Sequence, residues 1–411
     1  MDGSLLRLDD ANQRTAEQGV ALDHLRLGWR PIIARDRRVL GVRIEIRRAA
    51  DAGETSTSTV GAVVAALAEQ TTAPSRGIVV LAPTSPSLNT ELQAIREWSG
   101  QSSVVFELDA EALSARQLPM VEAAHQAGQK FVLRKTQHSL PRDTQRLFTA
   151  VVDDSESGRS HDAALPLWVR DVHTRSDVET AFAVGAQATV GWPLDEPMVE
   201  PSAGLEPTRR AVLDLIRLIQ GDADVMALER AFKNEPSLAL MLLAVINSAA
   251  LAPAAAASAP ITSLRHAILV LGYKRLVRWL VLLLGVSSAN TRSMPLIYMA
   301  VQRGFFLEAL ATQVGGMRDD LFAVGAFSLL QQITGHSHER LFASAALPRP
   351  VLDAVRAHQG AYGVYLALAE VIERGDTVGS ERAAQLVGVS MGQINAALLS
   401  SLAAVDAITM N

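Results

Sequence analysis

The stretch WRPIIARDRRVLGVRIEIRR, Trp29–Arg48, decides how the first half of this chain folds. It reads as a strand (Arg30–Ile33), a polar turn and a second strand (Val39–Arg47). Further β-like runs follow at Gly77–Ala82, Ser103–Leu108, Lys130–Leu133, Ala150–Val152, Leu167–Val169 and Ala188–Val190. Between them lie helical candidates, Val60–Gln70, Glu91–Gly100, Leu118–Ala127 and Ser176–Val184. That alternation predicts parallel strands joined by helical crossovers. A full eight-fold α/β barrel takes about 250 residues, and only about 170 fall in this region. The expectation is therefore a shortened or incomplete barrel.

Outward from there the character changes. WPLDEPMVEPSAGLEPTRR, Trp192–Arg210, is rich in proline and marks a linker. Beyond it the β signal disappears. Helices are predicted over Ala211–Gln220, Asp224–Lys233, Ser237–Ala250, Ser263–Leu271, Tyr273–Val286, Tyr298–Val314, Asp319–Ile333, Arg349–His358, Ala361–Arg374, Ser380–Val387 and Met391–Ile408. Gly272 is placed to end one of them. The run Ala254–Ala257, between Pro253 and Pro260, reads as a loop. The organisation is a polar tail (1–20), an α/β domain (21–193), a linker (194–208) and an all-α domain (209–411).

Composition narrows the function classes. The chain has 411 residues, 49% hydrophobic, with a formal net charge of −5. Bulk electrostatics therefore recruit neither nucleic acid nor an anionic membrane. It has no cysteine, which excludes disulfides, thiolate metal sites and cysteine nucleophiles. The most apolar run, Leu276–Val286, is too short to span a bilayer and contains Arg278. The N-terminus lacks a basic start and an apolar signal core, so the expected setting is cytoplasmic, without membrane insertion.

Two segments carry a family resemblance. RPIIARDRRVLGVRIEIR, Arg30–Arg47, resembles the opening of EAL domains, the cyclic di-GMP phosphodiesterases. INSAAL, Ile246–Leu251, followed by PITSLRHAILVLGYKRLVRWLVLLL, Pro260–Leu284, resembles the HDOD domain. Together they resemble the EAL–HDOD family of bacterial signalling proteins. The implied fold is a degenerate, shortened EAL-like α/β barrel of the TIM type, followed by an all-α helical domain.

The EAL resemblance implies a metal-binding glutamate where this chain has Arg43. The family's paired aspartates fall on Arg134 and Lys135, and its late glutamates on Arg170 and His173. Glu107 matches an acidic metal ligand, Asp153 is aligned with the aspartate of a KID-like motif whose lysine is absent, and Arg47 matches an arginine used against the ligand's phosphate. Hard divalent ions need several carboxylate oxygens, which such hydrolases use to activate water. Cations at these positions oppose that chemistry. The expectation is a chain without catalytic residues, metal or cofactor, which does not hydrolyse cyclic di-GMP.

Arg43, Arg47, Glu107, Arg134, Lys135, Arg170 and His173 remain the candidate anion or nucleotide site. Guanidiniums there either hold a phosphate without metal or are neutralised by neighbouring acids. The resemblance implies a regulatory protein whose partners are other signalling proteins, in cyclic di-GMP, motility or biofilm pathways. A homodimer is compatible with it. A metal-free cyclic di-GMP effector and an active phosphodiesterase stay open as alternatives.

Other motifs carry less. Where an HD hydrolase reads GLLHDIG, this chain has GAFSLLQQITG, Gly325–Gly335, with Ser328 and Leu329 at the dyad. His161-Asp162 lies in a polar stretch, and His336, His338 and Glu339 are too few for a metal centre. Ser380–Leu402 looks like a helix-turn-helix, but its second helix has no lysine or arginine. Without phosphate contacts it predicts packing, and no nucleic acid partner. Lys274, Arg275 and Arg278 form a basic patch, read as a solvated helix face or a protein-docking surface.

Overall fold

In the computed structural model the described residues are 22–49, 58–69, 77–84, 87–99, 103–134, 141–154, 165–196, 207–233, 242, 246, 261, 263–286, 294–314, 318–339 and 348–409. The tail 1–20, Lys135, His161-Asp162, most of the linker, Ala254–Ala257 and nearly all of Ser237–Leu251 lie outside them.

Eight strands close a barrel in sequence order: β1 (Leu25–Ala34), β2 (Val39–Arg48), β3 (Ile78–Pro83), β4 (Val104–Asp109), β5 (Lys130–Arg134), β6 (Phe148–Asp154), β7 (Leu167–Arg170) and β8 (Ala188–Val190). The strands from β2 to β8 pair in parallel, whereas β1 runs antiparallel to both β2 and β8. The barrel is thus short and closed, the shortened form of the two that the sequence allows. Using a hairpin for the first connection saves a crossover helix. The others described are α1 (Thr59–Glu69), α2 (Leu88–Glu97), α3 (Leu118–Gln126), the single turn α4 (Arg142–Gln145) and α5 (Arg175–Ala183).

The barrel is filled, as close packing requires. Ile32, Val80, Val105, Val132, Ala150, Val152, Trp168, Ala188 and Val190 form one apolar cluster inside it. A second, larger core runs continuously from the outer faces of the strands into the helical half.

That half contains α6 (Pro207–Gln220), α7 (Val225–Lys233), α8 (Leu264–Val286), α9 (Met294–Val314), α10 (Arg318–Phe327), α11 (Leu330–Thr334), α12 (Arg349–Ala357), α13 (Gly360–Arg374), α14 (Thr377–Val387) and α15 (Met391–Thr409). Gly272 interrupts α8 with φ 74°, where the sequence places a helix end. The helix expected over Asp319–Ile333 is broken at Ser328–Leu329, between α10 and α11.

The two halves pack directly. β1 and β2 outreach the neighbouring strands and form a two-stranded ribbon, Leu25 opposite Arg48 and Trp29 opposite Ile44. Its apolar face buries Leu25, Leu27, Trp29, Ile44 and Ile46, and Trp29 meets Tyr298 of α9 at 6.3 Å between rings. At the ribbon's start the Asn395 side-chain amide of α15 donates to the Leu22 and Leu25 carbonyls at 2.8 and 2.9 Å. The Gly392 N–H donates to Asp23 Oδ1 at 2.6 Å. The helix-turn-helix expectation is met as geometry, with α14 and α15 crossing at 102°. Its second helix, however, spends its N-terminal turn on the barrel.

Among the described residues no single helix is long and apolar enough to cross a membrane.

Candidate functional site

Strand alternation builds the site. Two residues beyond the apolar cluster on β4, β5, β6 and β7 stand Glu107, Arg134, Asp154 and Arg170. On antiparallel β1 the equivalent step is two residues earlier, at Arg30. On β2, Arg43 lies level with Val80 of β3, and Glu45 and Arg47 follow on the same face. A charged layer therefore sits on the apolar plug, at the carboxyl ends of the parallel strands. Barrel enzymes place their chemistry at that end.

The layer is knitted by ion pairs. Arg43 and Glu107 are both buried and joined through two hydrogen bonds, Nε to Oε2 at 2.6 Å and Nη2 to Oε1 at 2.7 Å. Arg43 also approaches Glu45 at 3.7 Å. Arg134 binds Asp109 at 2.6 Å and reaches Glu107 at 3.8 Å. Arg47 pairs with Glu45 at 2.6 Å, and Arg170 with Asp154 and, at 3.4 Å, with Asp171. Among the described residues, the guanidiniums of Arg30, Arg43, Arg47, Arg134 and Arg170 face the carboxylates of Glu45, Glu107, Asp109, Asp154 and Asp171.

Titration follows from these neighbours. Burial pulls the Arg43 guanidinium down, but the Glu107 carboxylate overrides it and the net direction is up. Arg170 behaves likewise: burial lowers it, and Asp154 and Asp171 more than compensate. Burial raises the Glu45 carboxyl, and Arg43 and Arg47 bring it below the usual carboxylate range. Arg30 is lowered by burial despite Asp171 and Glu45.

The residues aligned by sequence divide clearly. Arg43, Glu107, Arg134 and Arg170 come together in the layer, and Arg47 lies at its edge with its side chain 45% exposed. His173 does not join them. It is exposed before α5, where its backbone N–H donates to Asp177 at 2.9 Å beside the Thr174–Asp177 capping box. Asp153 is also displaced: Asp154 is the residue that meets Arg170. A slip of one residue in a strand moves a side chain to the other face. Sequence reasoning missed Arg30, Asp109 and Asp154, all signalled by counting in steps of two from the apolar residues.

A divalent metal does not fit this donor set. Both Glu107 oxygens accept from Arg43, and the other acids of the layer each carry a guanidinium. Among the described residues no group of three or more His, Asp or Glu side chains is arranged to hold a metal ion.

The helical half has a counterpart. Arg303 of α9 is buried and binds Glu373 of α13 at 2.9 and 2.6 Å and Ser328 Oγ at 2.6 Å. Gly325 permits this: a Cβ there would lie 2.6 Å from the Arg303 carbonyl carbon. The dyad position Ser328 is thus part of a closed Arg–Glu–Ser cluster. Helix α13 continues toward the barrel, and Glu373 and Gly375 share a crevice with Gly28, Trp29, Arg30, Arg43 and Glu45. Its volume is about 180 Å³, open space included. A neighbouring crevice around Arg26, Arg47 and Thr377 measures about 250 Å³.

Comparison with known proteins locates the second half. Residues 207–344 match the family model for the HDOD domain. The second half carries an HDOD domain. Helices α12–α15 lie beyond the matched span and complete its packing against the barrel. The chain thus joins a closed α/β barrel to an HDOD domain.

The cyclic di-GMP phosphodiesterase CdgJ of Vibrio cholerae is 24% identical over 233 residues, 56% of this chain and 53% of the relative. This chain therefore matches only about half the length of that curated relative. Among solved structures, the Bacillus subtilis YkuI protein, with an EAL domain and bound cyclic di-GMP and calcium, aligns at 14% identity. That alignment covers 57% of this chain and 66% of that one, with a TM-score of 0.33. A standalone EAL protein of Vibrio cholerae O395, bound to cyclic di-GMP, aligns at 14% identity over 41% of this chain and 89% of that one, TM-score 0.30.

Proposed function

We propose that this chain is a non-catalytic regulatory protein of cyclic di-GMP signalling, acting through protein–protein contacts. The observation that supports it is the buried fork between Arg43 and Glu107. A hydrolase of this kind needs free carboxylate oxygens for divalent ions. Here the best-placed carboxylate is committed to a guanidinium, and the neighbouring described acids are paired with arginines as well. The resemblance to EAL domains and the similarity to CdgJ support the cyclic di-GMP setting. The HDOD helices supply the interaction surface, with the barrel as a docked platform.

The test is a turnover assay of the full chain with cyclic di-GMP, in magnesium and in manganese. No cleavage above a no-protein control is expected. Metal-dependent production of the linear dinucleotide would overturn the reading and align the chain with the activity in CdgJ's name.

One observation favours a second reading, a metal-free cyclic di-GMP effector: the Arg47 side chain is nearly half exposed at the edge of the layer. Calorimetric titration of the wild type and Arg47→Ala with cyclic di-GMP distinguishes the two. Saturable binding lost in the variant supports the effector; no heat in either supports protein contacts alone.

A further inference from the structure

The polar face of the β1–β2 ribbon has an unusual charge problem. Arg26 lies directly opposite Arg47, and Arg30 directly opposite Arg43. Like charges facing each other across strands are destabilising. Between the two pairs stands a single acid, Glu45, opposite Gly28. Glu45 binds Arg47 and approaches Arg43, and Glu107 takes Arg43 from inside the barrel. Within the barrel Arg30 also faces Asp171 and Glu45, and Arg26 donates to the Asp23 and Leu25 carbonyls; both arginines then reach the HDOD side. Arg26 Nε donates to Glu381 of α14 at 2.7 Å. Arg30 Nη2 donates to the Arg374 carbonyl, at the C-terminus of α13, at 3.1 Å.

That terminus suits a cation. The last carbonyls of a helix have no intrahelical partner and carry partial negative charge. The contact is also intimate: a Cβ added to Gly28 would lie 3.3 Å from the Gly375 Cα. Gly375 closes α13 in the left-handed conformation, φ 70°, which aims the chain into α14. Just behind, Glu373 joins the crevice with Arg43 and Glu45 while its own carboxylate holds Arg303.

We propose that α13 and α14 are a built-in occupant of this cationic ribbon, a contact that locks the HDOD side onto the barrel's charged layer. Release of α13–α14 and exposure of Arg26 and Arg30 are then one event. A signal acting on the HDOD helices reaches the barrel through this contact. The lock stands on charge complementarity between the halves and does not depend on whether the barrel catalyses.

The test is hydrogen–deuterium exchange of the full chain with a charge swap. Glu381→Arg places three cations together and is expected to raise exchange about fivefold or more in residues 25–30 and 377–387. Exchange in β4, β5, α6 and α7 is expected to stay within twofold of wild type. The double variant Arg26→Glu/Glu381→Arg restores the attraction in reverse and should return 377–387 to near wild-type protection. Unchanged exchange in Glu381→Arg, an equal rise across the whole chain, or no recovery in the double variant would each overturn the lock. Glu381 is half exposed, so its substitution leaves the core intact. The turnover assay does not enter, so failure here and failure of the non-catalytic reading are distinguishable.

Discussion

Arg303 and Glu373 repeat in the HDOD half the fork that Arg43 and Glu107 make in the barrel. Each is a buried arginine bound through two nitrogens to both oxygens of a buried glutamate. Desolvating such charges costs several kcal/mol per ion, and paired geometry roughly offsets it. Their strength therefore shows only when one partner is removed. The two forks lie on either side of the domain contact, with Glu373 and Arg43 lining the same crevice.

For the barrel fork, Arg43→Met and Glu107→Gln are each expected to destabilise by about 3–5 kcal/mol. The double variant Arg43→Met/Glu107→Leu should recover most of that loss, because no charge is left unpaired. Urea unfolding monitored by circular dichroism checks both. Singles costing less than about 1 kcal/mol would show that the pair is hydrated.

For the helical fork, Glu373→Gln leaves the Arg303 charge buried with Ser328 and the more distant Glu370, 3.7 Å away. A loss of about 3 kcal/mol or more is expected. Ser328→Ala removes one neutral partner and should cost about 1–3 kcal/mol. Equal losses in the two variants by thermal denaturation would contradict the charge argument.

Asn395 is fully buried and serves two carbonyls of the barrel's entry. Asn395→Leu keeps the volume but orphans both acceptors, with an expected cost of about 2–4 kcal/mol. Proteolysis near Leu22–Leu25 should accelerate accordingly. Unchanged cleavage would mean that α15 does not hold the ribbon.

Acid stability is tied to Glu45. Its native pKa lies below the unfolded value because Arg43 and Arg47 favour the carboxylate over burial's opposing push. The folded state therefore binds this proton less readily. Its contribution is complete above the ordinary carboxylate pKa and is lost as pH falls through the native value. Glu45→Gln should flatten the fall in melting temperature between about pH 6 and 3. At the alkaline end, burial and Asp320 push the Tyr362 hydroxyl up to about 12. That contribution is intact below the ordinary tyrosine value and is lost as pH rises toward 12, so Tyr362→Phe should melt with a shallower alkaline limb.

Strand positions were legible because hydrophobic runs and their spacing are local properties. Ala188–Val190 coincides with β8, and Val39–Arg47 misses β2 by one residue. β1 was underestimated. It begins at Leu25 rather than Arg30, because its first half is stabilised by α9, α13 and α15 rather than by its own composition. The two-helix reading of Ser380–Leu402 anticipated α14 and α15, and the missing basic residues anticipated packing. That the packing partner is the barrel's first strand was invisible, since Asp23 and Gly392 lie hundreds of residues apart.

The sequence by itself determined the order of elements, the change from α/β to all-α, and the cations at Arg43, Arg134 and Arg170. These follow from residue type and short-range periodicity. Only the tertiary structure decided what those cations do. A guanidinium can bind a ligand's phosphate or a neighbour's carboxylate, and the choice depends on which acid the folded chain brings within reach. Closure of the barrel brings Glu107 to Arg43, and Asp154 rather than Asp153 to Arg170. Docking of the HDOD half brings Glu381 and the end of α13 to Arg26 and Arg30.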